Sequence, residues 1–215
     1  ITIMEITASI AKNIASTLLD IQAIKLSPEA PFTWASGWKS PIYCDNRMLL
    51  SYPEAREKVA LTMSRFIREK YPNVQLIAGV ATGAIGMGML VADRLGLPFV
   101  YVRPEPKKHG RGNQIEGSFT EGEKTVVIED LISTGMSSIG AVKALRENHL
   151  EVLGMVAIFS YLFEVAQNNF ITANIGLDTL SQYNALLEEA KDRNYISEAQ
   201  LETLAKWRLA PDKWT

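Results

Sequence analysis

The chain has 215 residues, 22 basic and 24 acidic side chains and a net charge of −2, a size that suits one sizeable domain with a small elaboration. Because both signs of charge are interspersed, the composition gives no support to a nucleic-acid or anionic-membrane partner. The single cysteine, Cys44, excludes an internal disulfide and a zinc site built on several thiolates, which is typical of a cytoplasmic protein. The sequence contains no run of about 18 apolar residues, the length needed to span a bilayer, so we also expect the protein to be soluble.

The first quarter of the chain combines one helix with short strands. Isoleucine and leucine recur every four residues and predict an amphipathic helix over residues 3–21, opened by a capping box at residues 2–5. Three β-prone segments follow, at residues 23–26, 32–34 and 42–44. They are too short to supply a parallel sheet. We therefore expect residues 1–51 to form a small hood over a core built by residues 52–215.

The stretch 32–47 is unusually rich in aromatic residues, glycine and charge. The backbone at Ser36 and Gly37 can approach a flat ring closely, an aromatic such as Trp34 can stack on that ring, and a cation such as Arg47 can face an anion. The alternative is a hairpin whose aromatic side chains pack on the sheet and whose charges are solvated.

The core begins with repeated strand-loop-helix units. The pattern predicts a helix over residues 51–71, capped at its first residue, and then a buried strand over 76–80. Thr82 and Gly83 lie in the turn that follows this strand. A glycine-bearing turn at a strand end can hold a phosphate group, notably of a diphosphate, although a plain helix-entry loop has the same pattern.

A long polar segment, residues 103–124, follows the next predicted strand at 99–102. Loops of this length inside a compact domain are commonly functional or disordered. Glycines permit movement, and positive charge is concentrated on Arg103, Lys107, Lys108, His109 and Arg111. The segment is therefore predicted to be a lid that closes over an anion, with a solvated basic hairpin as the alternative.

The stretch 125–138 organises the rest of the chain. Its β-branched residues predict a buried parallel strand that breaks at Glu129 and Asp130, before a turn that leads into a helix over 138–148. Ligands of open α/β sheets bind beyond the carboxyl ends of the strands, where this turn would offer backbone N–H groups to a phosphate. The two acids would then bind hydroxyls or a metal ion, which indicates a sugar phosphate. The alternative is a pair of solvated acids before an ordinary helix cap.

The remaining elements complete a central parallel sheet flanked by helices. An apolar strand is predicted at 151–160, a helix at 161–170, a weak strand at 171–177, and helices at 181–194 and 197–209. The last two helices are expected to serve packing, including packing at a subunit contact.

Residues 126–138 resemble the signature of type I phosphoribosyltransferases, which bind 5-phosphoribosyl-1-diphosphate (PRPP). The resemblance implies that fold, and it implies that Glu129 and Asp130 contact the ribose hydroxyls. The turn that would hold PRPP and its 5-phosphate comprises Leu131, Ile132, Ser133, Thr134, Gly135, Met136 and Ser137.

The stretch 32–47 and the polar loop resemble orotate phosphoribosyltransferases more specifically, in the Ser-Gly, Lys-Ser-Pro and Asp-x-Arg elements and in the loop spacing. This implies transfer of phosphoribosyl from PRPP to orotate. It also implies that Arg103, Lys107 and His109 bind PRPP, and that Lys107, His109 and Asp130 are catalytic. Ser133, Ser36 and Gly37 would contact orotate.

The same resemblance implies a homodimer in which the loop reaches the neighbouring subunit. It also implies Mg²⁺ carried by the PRPP diphosphate, with no direct protein ligand. Two rivals are a purine salvage phosphoribosyltransferase and a PRPP-sensing regulator that binds nucleic acid. Residues 32–47 argue against the first, and the absence of a basic face in the sequence argues against the second.

Overall fold

The computed structural model describes residues 5–34, 37–105 and 114–214. The described helices are α1 (Ala8–Asp20), α2 (Pro53–Lys70), α3 (Ile85–Leu95), α4 (Met136–Glu147), α5 (Glu164–Thr172), α6 (Tyr183–Asp192) and α7 (Glu198–Leu209), with a 3-10 helix at Asn46–Ser51. The described strands are β1 (Ile24–Leu26), β2 (Phe32–Thr33), β3 (Lys39–Ser40), β4 (Ile42–Cys44), β5 (Leu76–Val80), β6 (Phe99–Val102), β7 (Ile115–Glu116), β8 (Lys124–Ile132), β9 (Glu151–Ser160) and β10 (Leu177–Gln182).

Six strands form the central sheet in the order β10-β9-β8-β5-β6-β7. Neighbouring strands are parallel except for the short β7, which runs antiparallel to β6. After β5 the chain moves outward to β6 and β7 and then returns to the other side of β5 as β8. The strand order therefore reverses between β5 and β8, which is where open α/β sheets bind their ligands.

Helices cover both faces of the sheet, as β8 shows. Val126 and Ile128 belong to the apolar cluster that includes α2 and α3, while Val127 belongs to the cluster on the opposite face with α4 and α5. All three side chains are fully buried. A strand buried on both faces requires a continuous apolar run, and this is why the sequence predicted it.

The N-terminal segment adds two small antiparallel pairs outside the main sheet, β1 with β4 and β2 with β3. The β2–β3 hairpin is fastened to the last helix. The Trp34 ring lies 5.3 Å from that of Tyr161 and 5.6 Å from that of Trp207. The indole N–H of Trp207 also donates to the carbonyl of Lys39 at 3.2 Å. Trp34 therefore packs on the core, which agrees with the hairpin interpretation of this stretch.

The predicted starts of the first two long helices are wrong. Helix α1 begins at Ala8, because the Thr7 hydroxyl caps it by accepting from the amide of Ile10 at 3.3 Å. Helix α2 has Tyr52 as its N-cap, with Pro53 in the first turn, whereas Ser51 ends the preceding 3-10 helix. A serine near a predicted helix start therefore indicates the region in which the helix begins, but it does not identify the capping residue.

Two strand predictions also need correction. Strand β8 does not break at Glu129 and Asp130 but continues to Ile132, because β9 pairs with it to that point. The strand predicted at 171–177 is wrong: residues 171–172 end α5, and the edge strand β10 follows at Leu177–Gln182. An edge strand carries more polar side chains than a central strand. The sequence of β10 is therefore less apolar than the residues at the end of α5, and the strand was predicted too early. Among the described residues, no helix is long and apolar enough to cross a bilayer.

Candidate functional site

Two loops meet at the point where the strand order reverses. Gly83 follows β5, and a Cβ atom built on it would lie 2.5 Å from Cγ and 2.7 Å from Oδ1 of Asp130 on β8. Only glycine lets the backbone approach the carboxylate this closely. The peptide bond between Ala81 and Thr82 in this turn is cis. The structure thus brings the predicted Thr82–Gly83 turn together with the acidic pair.

A cup of backbone groups, residues 131–137, lies where β8 ends and α4 begins. Gly135 has a φ of 78°, and a Cβ there would meet Cε2 of Phe170 at 2.7 Å, so both conformation and space require glycine. Asn169 supports the turn by donating to the carbonyl of Thr134 at 3.0 Å. Helix α4 then begins with no side-chain hydrogen bond to its first amides. The first-turn N–H groups have no intrahelical acceptor, so this end of the helix suits an anion.

The two acids differ in their surroundings. Glu129 is only 5% exposed. One carboxylate oxygen accepts from the Ser138 hydroxyl at 2.8 Å, and the other accepts from the amide of Asp130 at 3.0 Å. The side chain of Asp130 is half-buried and lies against Gly83. Asp130 is therefore the more accessible carboxylate of the pair.

Burial raises the pKa of both acids. For Glu129, desolvation is the main cause, the charge of Asp130 adds to it, and the hydrogen bond from Ser138 opposes it. Desolvation also raises the pKa of Asp130, although its hydrogen bond with Glu129 and the charge of Arg47 lower it. A pair that retains a proton carries less negative charge toward a nearby phosphate, and it can still accept hydrogen bonds from hydroxyls.

Two residues that the sequence did not single out hold this pair in place. Ser138 in the first turn of α4 binds Glu129, and Asn46 of the N-terminal segment donates from Nδ2 to the Asp130 carbonyl at 2.6 Å. Asn46 and Asp130 are 84 positions apart. No local pattern could have revealed this contact.

The two described arginines near the site, Arg103 and Arg47, have different partners. Arg103 follows β6, its NH1 atom lies 3.5 Å from a carboxylate oxygen of Glu116, and its buried Nε has no hydrogen-bond partner in the described part of the chain. Arg47 binds the Asp45 carboxylate through two nitrogens, at 2.7 and 2.9 Å. It is therefore paired within the N-terminal segment.

Several predicted site residues lie outside the described residues: Lys107, His109 and Ser36. Gly37 is described, with a φ of 87° and its amide donating to the Trp34 carbonyl at 2.8 Å. Ser133 lies half-buried directly after β8. Within the described ranges, no three His, Cys, Asp or Glu side chains are grouped to hold a metal ion.

Known proteins resemble the chain over nearly its full length. The phosphoribosyl transferase domain family matches residues 47–166. An orotate phosphoribosyltransferase of Cytophaga hutchinsonii is 53% identical over 203 residues, covering 94% of this chain and 97% of that protein.

Two solved structures share the fold. The UMP synthase of Leishmania donovani superimposes with a TM-score of 0.79 at 25% identity, covering 97% of this chain but 43% of that longer protein. The orotate phosphoribosyltransferase of Aeropyrum pernix gives a TM-score of 0.71 at 25% identity, covering 83% of this chain and 99% of that protein. The predicted type I phosphoribosyltransferase fold is confirmed.

Proposed function

This chain belongs to the orotate phosphoribosyltransferase family, and from that premise we propose that the crevice between β5 and β8 transfers phosphoribosyl from PRPP to orotate. The products are orotidine 5′-monophosphate and diphosphate, a step of pyrimidine biosynthesis. The observation that carries the proposal is the close approach of the Gly83 turn to Asp130. This contact lies beside the first-turn amides of α4, to which no side-chain cap is bound. One crevice thus offers an acidic group for a ribose and turns for the phosphates on either side of it.

The cup would bind the 5-phosphate of PRPP. The residues assigned to it run from Leu131 and Ile132, at the end of β8, through Ser133, Thr134 and Gly135 to Met136 and Ser137. Met136 and Ser137 belong to the exposed first turn of α4, where amide groups and the helix dipole favour an anion. The Thr82–Gly83 turn, which lies against the Asp130 carboxylate, would face the diphosphate.

Asp130 and Glu129 would accept hydrogen bonds from the ribose hydroxyls. When the bond from ribose C1 to diphosphate breaks, positive charge develops on the sugar, as in glycoside cleavage. A carboxylate already fixed beside the ribose stabilises this charge with little reorganisation. We assign this catalytic role to Asp130, whose carboxylate is the more accessible, with Glu129 as its partner.

The loop after β6 would stabilise the departing diphosphate. Arg103 lies at the base of this loop, and Lys107 and His109 extend it. Their positive charge is needed most when the leaving group gains charge, and closure of the loop would keep water from ribose C1. Bound Mg²⁺ would neutralise part of the diphosphate charge. Magnesium commonly binds through substrate phosphates and few carboxylates, so the PRPP diphosphate would supply most of its protein-independent ligands here.

The N-terminal segment would bind the base. We propose residues 1–51 as a base-binding hood and residues 52–215 as the PRPP-binding core. Orotate would contact Ser133 beside the cup and the backbone of Ser36 and Gly37 in the hood.

We propose a homodimer that shares the loop between subunits, and exposed apolar side chains support the subunit contact. Large apolar side chains are exposed on three adjoining elements, at Met48, Leu50, Tyr52, Leu61 and Met89. Leu50 of the 3-10 helix packs against Gly86 of α3, which joins two of these elements. Exposed large apolar side chains that cluster on neighbouring elements commonly mark protein contacts. We also propose that the protein is cytoplasmic, because a chain with one cysteine does not rely on the internal disulfides that are common in secreted proteins.

An orotate-consumption assay tests the function. Purified protein with PRPP and Mg²⁺ should remove the ultraviolet absorbance of orotate, and adenine or hypoxanthine should not replace it. A reaction with a purine and none with orotate would favour the salvage enzyme instead. PRPP binding without transfer to any base would favour the regulator.

A further inference from the structure

The carbonyl of Asp130 has a partner from outside the central sheet. Pairing between β5 and β8 extends only to Gly79 and Ile128, two residues before Asp130. Beyond that point the crevice opens, and the amide of Asn46 donates to the Asp130 carbonyl at 2.6 Å. A partly buried carbonyl is stabilised by a hydrogen-bond donor, and here the N-terminal segment supplies it.

Asn46 is itself firmly held in that segment. Its side chain is buried, with 3% exposure, and its Oδ1 accepts from the Cys44 thiol at 3.4 Å. The preceding residue, Asp45, donates its amide to the carbonyl of Ala23 at 2.7 Å. A short series of contacts therefore connects β1 and β4 with the acidic pair.

We propose that Asn46 is a positioning residue that ties the base-binding hood to Asp130 and so fixes the spacing between the base and the ribose. Asn46 does not act on substrate itself. Its amide holds the backbone from which the Asp130 carboxylate projects. This inference rests on the proposed function, because it gives Asn46 a role only if Asp130 binds PRPP.

A double-mutant cycle on PRPP affinity tests the role. The dissociation constant of PRPP with Mg²⁺ is measured by calorimetry for the wild type, Asn46→Ala, Asp130→Asn and the double variant. If Asn46 acts through Asp130, Asn46→Ala weakens binding by about tenfold in the wild-type background, the worth of one strong hydrogen bond, and by less than about twofold in the Asp130→Asn background. Equal factors in both backgrounds would overturn the inference.

Two further variants separate positioning from general destabilisation. Ser181→Ala removes another buried side-chain donor, the hydroxyl that binds the Ala11 carbonyl at 2.7 Å between β10 and α1. It should lower the melting temperature and leave PRPP affinity unchanged. Asn46→Leu has a side chain of similar size and branching but no donor and no charge, so it should weaken PRPP binding about as much as Asn46→Ala. Wild-type affinity in Asn46→Leu would contradict the role.

The outcomes separate this inference from the function on which it rests. If the wild type binds PRPP and consumes orotate but the cycle is additive, the role of Asn46 is wrong and the function stands. If the wild type does not bind PRPP, the proposed function fails and the inference fails with it.

Discussion

Replacing Gly83 with alanine tests the geometry of the crevice with a single methyl group. The added Cβ would lie 2.5 Å from Cγ of Asp130, whereas carbon atoms in contact prefer about 3.5 Å or more. Gly83 is not among the residues with positive φ, so the backbone itself accepts alanine. The carboxylate of Asp130 must therefore move aside by about 1 Å.

That displacement would remove the proposed contact between Asp130 and the ribose while leaving the fold intact. A hydrogen bond to a charged group contributes about 1.5–3 kcal/mol. Since each 1.36 kcal/mol corresponds to a tenfold change, we expect kcat/KM for PRPP to fall by about 10- to 150-fold. The melting temperature should change little, because the displaced group is a side-chain end that can rotate.

Steady-state kinetics and thermal melting of Gly83→Ala provide the measurement, with Gly140→Ala as the matched control. Gly140 is exposed on α4, and no atom lies within 4 Å of a Cβ built there. The control should keep full activity and gain slightly in stability, because alanine favours helices. Normal kcat/KM in Gly83→Ala would refute the claim that Asp130 contacts the substrate from its position beside this turn.

Three other predictions concern charge and assembly. The raised pKa of Glu129 means that the folded state binds its proton more tightly than the unfolded state, so this group destabilises the fold progressively as pH rises through and above its ordinary range. The melting temperature of Glu129→Gln relative to that of the wild type should therefore rise as the pH is raised from 5 to 8. A difference that stays constant over this range would contradict the raised pKa. Lys107→Ala should lower turnover by more than tenfold and PRPP affinity much less, because its charge is needed as diphosphate leaves; equal losses would indicate ground-state binding only. Met89→Asp should shift the sedimentation of the protein toward a monomer, while the control Ile171→Asp, which is exposed on α5, should not; unchanged sedimentation of Met89→Asp would place the contact elsewhere.

Elements with strong local signals were predicted well from the sequence. Strand β5 was predicted with its observed bounds, because five buried residues in a row leave little ambiguity. The helix predicted at 197–209 was also found within one residue of its observed start, since both hydrogen bonds of its capping box at Ser197 and Gln200 are local. These signals depend on residues within one turn or one strand of each other.

The features that the sequence did not predict depend on contacts between residues that are distant in the chain. Pairing with β9 keeps β8 extended through Glu129 and Asp130, although the acids suggested an end to the strand. The meeting of Gly83 with Asp130 follows from the strand order, and the contact of Asn46 with the same residue follows from the packing of the 3-10 helix against β8. The sequence identified the site residues one loop at a time, but the distances between those loops are a property of the sheet.

A crystal structure with PRPP and Mg²⁺ tests the central claim most directly. We expect the 5-phosphate at the amides of residues 133–137 and the ribose hydroxyls within hydrogen-bond distance of the Asp130 carboxylate. PRPP bound elsewhere, or bound with its ribose turned away from Asp130, would contradict it.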